Sequence, residues 1–285
     1  MSVNEPAAAV RAAVSAAGRL GVACADPVVL ADGANVIVHL SPSLVVAKVA
    51  ASTPAIRPDV GAWLQRELDL AVFLDHAGIP VMKPASELPA TVQHGDGRVM
   101  SFWAYLTRSG SDLPDEDTVG SMLRDLHTAL RDYPVALPAL SPLGDIPAFL
   151  ARTQSFLSCG DVDVLAGAYA RLTAQLRPAS APGQVLHGDA GAGNLLATRG
   201  GWVWHDFEDT CTGPIAWDLA ATTASPRLDA SRILAAYGDP VDEAQLRTCE
   251  QLRRLHLTVW YALYAERLPY CRPRAVELLA TWRER

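Results

Sequence analysis

Lysine is nearly missing from this 285-residue chain: of 24 basic residues only Lys48 and Lys83 are lysines, and arginine supplies the rest. No run of Lys or Arg makes a basic face, and the formal net charge is −7. That argues against nucleic acid as a partner, because phosphate neutralisation needs clustered positive charge. Long apolar runs are missing too. No segment approaches the roughly 18 uninterrupted apolar residues of a membrane span, and the alanine-rich N-terminus carries Glu5 and Arg11 where a leader would be apolar. The five cysteines, Cys24, Cys159, Cys211, Cys249 and Cys271, contain no CxxC pair, which removes zinc-ribbon and dithiol redox readings. These absences imply a soluble, reduced, cytoplasmic protein whose partners are small molecules or proteins, not nucleic acid or membrane; they leave its oligomeric state open.

Half of the residues are hydrophobic and 19% are charged, the composition of a globular protein. The length suits two lobes better than one simple domain. After a predicted helix over 6–19, the segment 28–49 reads as strands separated by turns at Asp32-Gly33-Ala34-Asn35 and Ser41-Pro42-Ser43. From 59 to 77, Leu64, Leu68, Ala71, Val72 and Leu74 recur at helical spacing, with Glu67 on the same helix. Strand runs at 90–93 and 98–103 flank His94-Gly95-Asp96-Gly97, a hairpin turn. Beyond Tyr105 the pattern turns helical, at 118–130, 145–157, 162–176, 229–237, 243–268 and 273–283, with one β-like insert at 185–207. The expected fold is α+β and bilobal: an N-terminal antiparallel sheet lobe with one main helix over 1–103, a hinge at about 100–105, and a mostly helical C-terminal lobe over 106–285 carrying the inserted hairpin.

The insert concentrates the polar chemistry. His187-Gly188-Asp189 is followed five residues later by Asn194, and His205-Asp206 ends the next strand. Asn194 and Asp206 are hard oxygen donors suited to magnesium, which keeps several waters and takes few protein ligands. Asp189 could orient a hydroxyl nucleophile toward a phosphate, as phosphoryl transfer asks of a protein that mainly positions and supplies charge. Lys48 sits inside the apolar run Leu44–Val49, where an ammonium is costly unless paired. Three readings compete: a magnesium-dependent phosphotransferase; an HD-type phosphohydrolase ligating metal through His187, Asp189, His205 and Asp206; and a non-catalytic pseudokinase that binds nucleotide.

In order along the chain, these residues resemble the aminoglycoside phosphotransferase family, the small-molecule branch of the protein-kinase-like fold. The resemblance runs from Gly33 and Asn35 through Lys48, Glu67 and Phe102-Trp103 to His187-Gly188-Asp189, Asn194 and Asp206-Phe207-Glu208. It ends at Gly213-Pro214-Ile215-Ala216-Trp217-Asp218-Leu219-Ala220. The resemblance implies ATP or GTP with Mg2+ as cofactors and a small hydroxylated acceptor, such as an aminoglycoside, an amino sugar or a similar alcohol. By it, Lys48 holds the nucleotide's phosphates and Glu67 fixes that lysine. Gly33 and Asn35 cover the nucleotide, and Met100, Phe102 and Ala104 line the adenine pocket through backbone groups. Asp189 is the catalytic base or hydroxyl-orienting group, and Asn194 and Asp206 carry the metal. His187 and Asp218 support the catalytic loop. Glu208 and Asp209 are candidates for a cationic group on the acceptor, with Asp242 and Glu266 as weaker ones. The chain departs from protein kinases in lacking GxGxxG, an Ala-Pro-Glu motif and the glycine of Asp-Phe-Gly, which favours a constitutive small-molecule kinase.

Overall fold

A computed structural model describes residues 5–110, 113–152, 156–176 and 183–283. The described chain begins with α1 (Glu5–Arg19), β1 (Cys24–Asp32), β2 (Asn35–Pro42), β3 (Val45–Ala50), α2 (Val60–His76), β4 (Gln93–Gly95) and β5 (Arg98–Ala104). It continues with α3 (Glu116–Leu130), α4 (Ser141–Arg152), α5 (Cys159–Gln175), β6 (Gln184–Leu186), β7 (Leu195–Thr198), β8 (Gly201–Trp204) and β9 (Cys211–Gly213). The last elements are α6 (Ala216–Thr222), α7 (Ala230–Tyr237), α8 (Glu243–Arg267) and α9 (Arg272–Arg283). Packing divides the chain into two compact units, Met1–Pro114 with Gly193–Asp209, and Asp115–Ala192 with Thr210–Arg285.

In the first unit an antiparallel sheet of order β1-β2-β3-β5-β4 places β3 at its centre, so all six residues of that strand are buried. Helix α1 lies against the sheet through Ala9, Ala12, Ala13, Ala16 and Ala17, whose short side chains let a helix approach strands closely. Helix α2 starts where the Asp59 side chain accepts the Ala62 N–H, a standard N-cap. It buries Leu64, Leu68, Ala71 and Leu74, and Glu67 falls on that same buried face. Gly78, at φ +78°, reverses the chain just beyond the helix. The β7–β8 hairpin joins this unit because Trp204 bonds through its backbone on both sides, to Pro80 O at 2.9 Å and from Met82 N at 2.8 Å. The 185–207 insert therefore does not form one hairpin: β7 pairs with β8, while β6 pairs with β9 in the second unit.

The second unit is helical around α8, with α6 and α9 packed along it. Gly120 of α3 has a structural reason: a Cβ there would lie 2.4 Å from Ile233 O and 2.8 Å from Tyr237 N, so only glycine lets α3 and α7 approach this closely. Ser158 and Asp161 form a reciprocal capping box at the start of α5. Residues 153–155 of the helix expected over 145–157 lie outside the described residues. Helix α6 is an element that periodicity does not reveal: all seven of its residues are buried, which leaves no amphipathic stripe to read.

Candidate active site

Each unit assembles its own set of polar side chains around a loop at a strand end. In the first unit the centre is Lys48, on β3 opposite Ile37 of β2 and Ser101 of β5. Its ammonium, 6% exposed as a residue, donates to Glu67 Oε2 at 2.8 Å and Oε1 at 3.0 Å and to Asp206 Oδ1 at 2.6 Å. Glu208 Oε2 stands 3.1 Å away. Burial disfavours the charge on Lys48, yet Asp206, Glu67 and Glu208 outweigh it and hold the ammonium well above the usual lysine range. Burial pushes the Glu67 carboxyl up to about 8 against the pull of Lys48, with Asp206 and Glu208 adding to the rise. The lysine's burial, costly by itself, is thus matched by three carboxylates whose oxygens lie within 4.8 Å of one another.

Asp206 follows β8 with φ +65°, a left-handed conformation that aspartate tolerates better than most residues. Asn194 immediately precedes β7 and its carbonyl accepts the His205 N–H at 3.0 Å, so Asn194 and Asp206 meet at one end of the β7–β8 hairpin. The turn at 207–209 then carries Glu208 and Asp209 onto Arg57, whose Nη1 donates to Glu208 Oε1 at 2.9 Å and whose Nη2 donates to Asp209 Oδ1 at 2.6 Å. Arg57 is itself buried and stacks over the Trp63 ring at 3.6 Å. Glu208 also accepts the side-chain amide of Asn35 at 2.6 Å. Both acids expected to face an acceptor are therefore engaged inside the first unit, Glu208 by three partners.

Gly33 lies in the β1–β2 turn, where its N–H bonds Asn35 O at 3.0 Å. A Cβ at Gly33 would meet nothing nearer than that oxygen at 4.0 Å, so no close approach enforces glycine there. Met100, Phe102 and Ala104, expected to present backbone to an adenine, are instead strand residues. Met100 pairs with Val49 on one side and Gln93 on the other; Phe102 O accepts from Ala85 N; Ala104 N donates to Lys83 O. The Met100 and Phe102 side chains belong to the sheet core with Ala85 and Leu88. The physical reason is that at Met100 both edges of β5 are in the ladder; beyond it β4 no longer pairs, and the outer edge is taken at Phe102 and Ala104 by Ala85 N and Lys83 O.

In the second unit the loop after β6 is fixed by Asp218 of α6. Its carboxylate accepts the backbone N–H of His187 at 2.8 Å and of Gly188 at 2.9 Å, and contacts His127 Nε2 at 3.0 Å. Burial would raise the Asp218 carboxyl, but the bond and charge of His127, with His187 and its N–H, hold it below the usual range. His127 Nδ1 meets the Tyr237 hydroxyl at 2.9 Å, whose proton burial pushes up to about 12. His187 is fully buried, and its Nδ1 accepts the Asp189 N–H at 3.3 Å. Trp217 Nε1 donates to Gly188 O at 2.8 Å, and Thr222 donates to Ala190 O at 2.7 Å. With its backbone held at four consecutive residues, the loop presents Asp189, whose side chain is 39% exposed and paired with Arg253 of α8.

Arg57 and Arg253 are the residues that sequence reading missed. Nothing local marks Arg57, which precedes a helix as many polar residues do. Arg253 did carry a signal: it lies four residues after Cys249 and three before His256, in the buried phase of α8. Asp242 caps α8 by accepting the Ala244 and Gln245 N–H groups, a structural use, and the Glu266 side chain lies outside the described residues. The hydrolase reading needs histidines grouped as ligands on helices, whereas His187 and His205 follow β6 and β8 in loops.

Residues 56–251 match the model of the APH phosphotransferase enzyme family. The chain belongs to this family. No curated protein sequence matches it. Among solved structures, the phosphotransferase resembles choline kinase LicA from Streptococcus pneumoniae at TM-score 0.68 and 14% identity, covering 95% of this chain and 99% of that one. It resembles amicoumacin kinase in complex with AMP-PNP, Ca2+ and amicoumacin at TM-score 0.64 and 13% identity, covering 90% and 88%. It also resembles an aminoglycoside phosphotransferase from Streptomyces rimosus in complex with ADP and streptomycin, at TM-score 0.57 and 17% identity, covering 78% and 90%. At such identities the likeness shows the fold: the phosphotransferase has the α+β protein-kinase-like architecture. No helix among the described residues is long and apolar enough to cross a membrane.

Proposed function

We propose that this phosphotransferase is a small-molecule kinase that moves the γ-phosphoryl group of ATP or GTP, with Mg2+, onto a hydroxyl of a small polar acceptor. The observation that carries the reading is Lys48, one of two lysines in the chain, buried and gripped by Glu67, Asp206 and Glu208. A buried ammonium poised by one helix carboxylate is suited to phosphate oxygens, and Glu67 keeps it oriented.

The donor set fits magnesium. Lys48 and Arg57 bring two positive charges against the carboxylates of Asp206, Glu208 and Asp209, while Glu67, pushed up to about 8, is largely protonated near neutral pH; the acidic excess that remains favours a cation. Asp206 and Asn194 would hold the ion, both through hard oxygen. When bound, the metal neutralises charge on the transferring phosphate. Arg57 and Asn35 then hold Glu208, and Arg57 holds Asp209, in the loop that carries Asp206, which counts against these two acids as ligands of the acceptor. We place the adenine at the C-terminal end of β5, from Ala104 onward, since Met100 is paired on both edges and the Phe102 carbonyl and Ala104 N–H are taken by Ala85 and Lys83. Asp189 accepts and orients the acceptor hydroxyl; a loose transition state needs little proton removal early, so orientation is its main task.

The solved relatives named above are choline, amicoumacin and aminoglycoside enzymes, so the fold serves several hydroxylated acceptors and does not select one. The test is nucleoside diphosphate release across a panel of aminoglycosides, amino sugars and choline-like alcohols. Release that depends on one acceptor, with the phosphate recovered on its hydroxyl, is expected. Asp189→Asn should reduce it by about 100- to 10,000-fold while nucleotide binding survives. Wild-type turnover in that variant would remove Asp189 from the chemistry.

A further inference from the structure

Asp189 is met by a residue far along the chain. Arg253, in the middle of α8, donates from Nη2 to Asp189 Oδ1 and from Nη1 to Gly188 O, the latter at 3.0 Å. One planar fork thus grips both the carboxylate and the main chain that carries it, which fixes the first relative to the second. Trp217 braces the arrangement, with its ring 5.0 Å from the guanidinium and its indole N–H on the same Gly188 carbonyl. The Arg253 side chain is 6% exposed and that of Asp189 is 39%, so the acid faces outward with the guanidinium behind it.

The loop's backbone has other supports. Asp218 holds the His187 and Gly188 N–H groups, Trp217 holds the Gly188 carbonyl and Thr222 holds Ala190 O. What Arg253 adds to these is its bond to the Asp189 carboxylate.

We propose that Arg253 is a positioning residue for Asp189. It fixes the carboxylate's orientation so that the outward oxygen meets the acceptor hydroxyl, and its guanidinium offsets the charge that Asp189 would otherwise present to the acceptor. The proposal rests on the reading of Asp189 as the hydroxyl-orienting group. Arg253 touches neither nucleotide nor acceptor in this scheme, and no bond to it forms or breaks.

Slow nucleotide hydrolysis, in which water takes the acceptor's place, tests this without knowledge of the acceptor. Arg253→Ala should lower kcat by about 100-fold, the scale of a 1 Å misplacement, while KM for the nucleotide stays unchanged. Added methylguanidine should restore part of that loss, and Arg253→Lys, able to meet one partner but not both, should fall between. In an Asp189→Asn background, removing Arg253 should cost nothing more, because it acts through Asp189. Wild-type kcat in Arg253→Ala overturns the proposal. So does a loss that tracks the folded fraction and ignores methylguanidine, or one that adds fully to Asp189→Asn. Absence of both hydrolysis and acceptor-dependent turnover in the wild type would instead contradict the kinase reading itself.

Discussion

Asn35 donates its side-chain amide to Glu208 at 2.6 Å, joining the first residue of β2 to the loop that carries Asp206. Glu208, two residues beyond Asp206, is tied to Arg57 and Lys48 as well. A loop anchored at this carboxylate has little freedom to turn Asp206 away. Glu208→Ala leaves Arg57 and Lys48 each short of a buried counter-ion, and breaking such a pair costs about 3–5 kcal/mol. Urea denaturation should show a loss of that order, and a change under 1 kcal/mol would mean the anchor is not stabilising.

The Lys48–Glu67 pair makes a second expectation. Lys48→Met leaves Glu67, Asp206 and Glu208 facing one another, and Glu67→Gln leaves the lysine one carboxylate short. If the two groups act as a pair, the double variant is destabilised by less than the sum of the single ones, with a coupling of about 0.5–3 kcal/mol. Additive losses in urea denaturation would contradict the pairing.

Asp218 gives a pH dependence. Its native carboxyl lies below the ordinary range despite full burial, so the folded state holds its proton less tightly than the unfolded state does. Its stabilising contribution is therefore complete above the unfolded value of about 3.9 and lost as pH falls through the native one. The gap in urea midpoint between wild type and Asp218→Asn should be widest near neutral pH and should narrow below about pH 4. A gap that does not change with pH would show that the carboxylate's charge is not what holds the loop.

Gly120→Ala tests the α3–α7 contact, through which His127 meets Tyr237. The new methyl would strike the backbone of Ile233 and Tyr237, which no side-chain rotation relieves. Overpacking of this kind costs about 1–3 kcal/mol, readable as a lowered Tm. Unchanged stability would mean that the two helices can part without cost.

Much of this site was legible in the residues themselves. Lys48 stood out because a charge inside a strand's apolar run demands partners, whereas Glu67, on a helix that periodicity marks, was singled out only by the resemblance to the family. Asn194 and Asp206 flank a hairpin that its turn glycines announce. Other parts were hidden for physical reasons. Met100 and Phe102 read as hinge because a short apolar run does not disclose whether a strand is interior or edge. Helix α6 has no polar face to set a period. The partners of Asp189 and Glu208 lie 64 and 151 residues away, at Arg253 and Arg57. An ion pair at such separation leaves no local pattern, beyond an arginine that occupies a buried phase.

Nucleotide binding tests the central claim most directly. ATP and GTP would be titrated calorimetrically, with and without Mg2+, into the wild type and into Asp206→Asn, with circular dichroism confirming that both are folded. Binding that needs Mg2+ in the wild type and is lost in the variant is the expected result, and it would also name the preferred nucleotide. Binding that is indifferent to Mg2+, or undiminished in Asp206→Asn, would contradict the assignment of Asp206 to the metal and with it the proposed phosphotransfer.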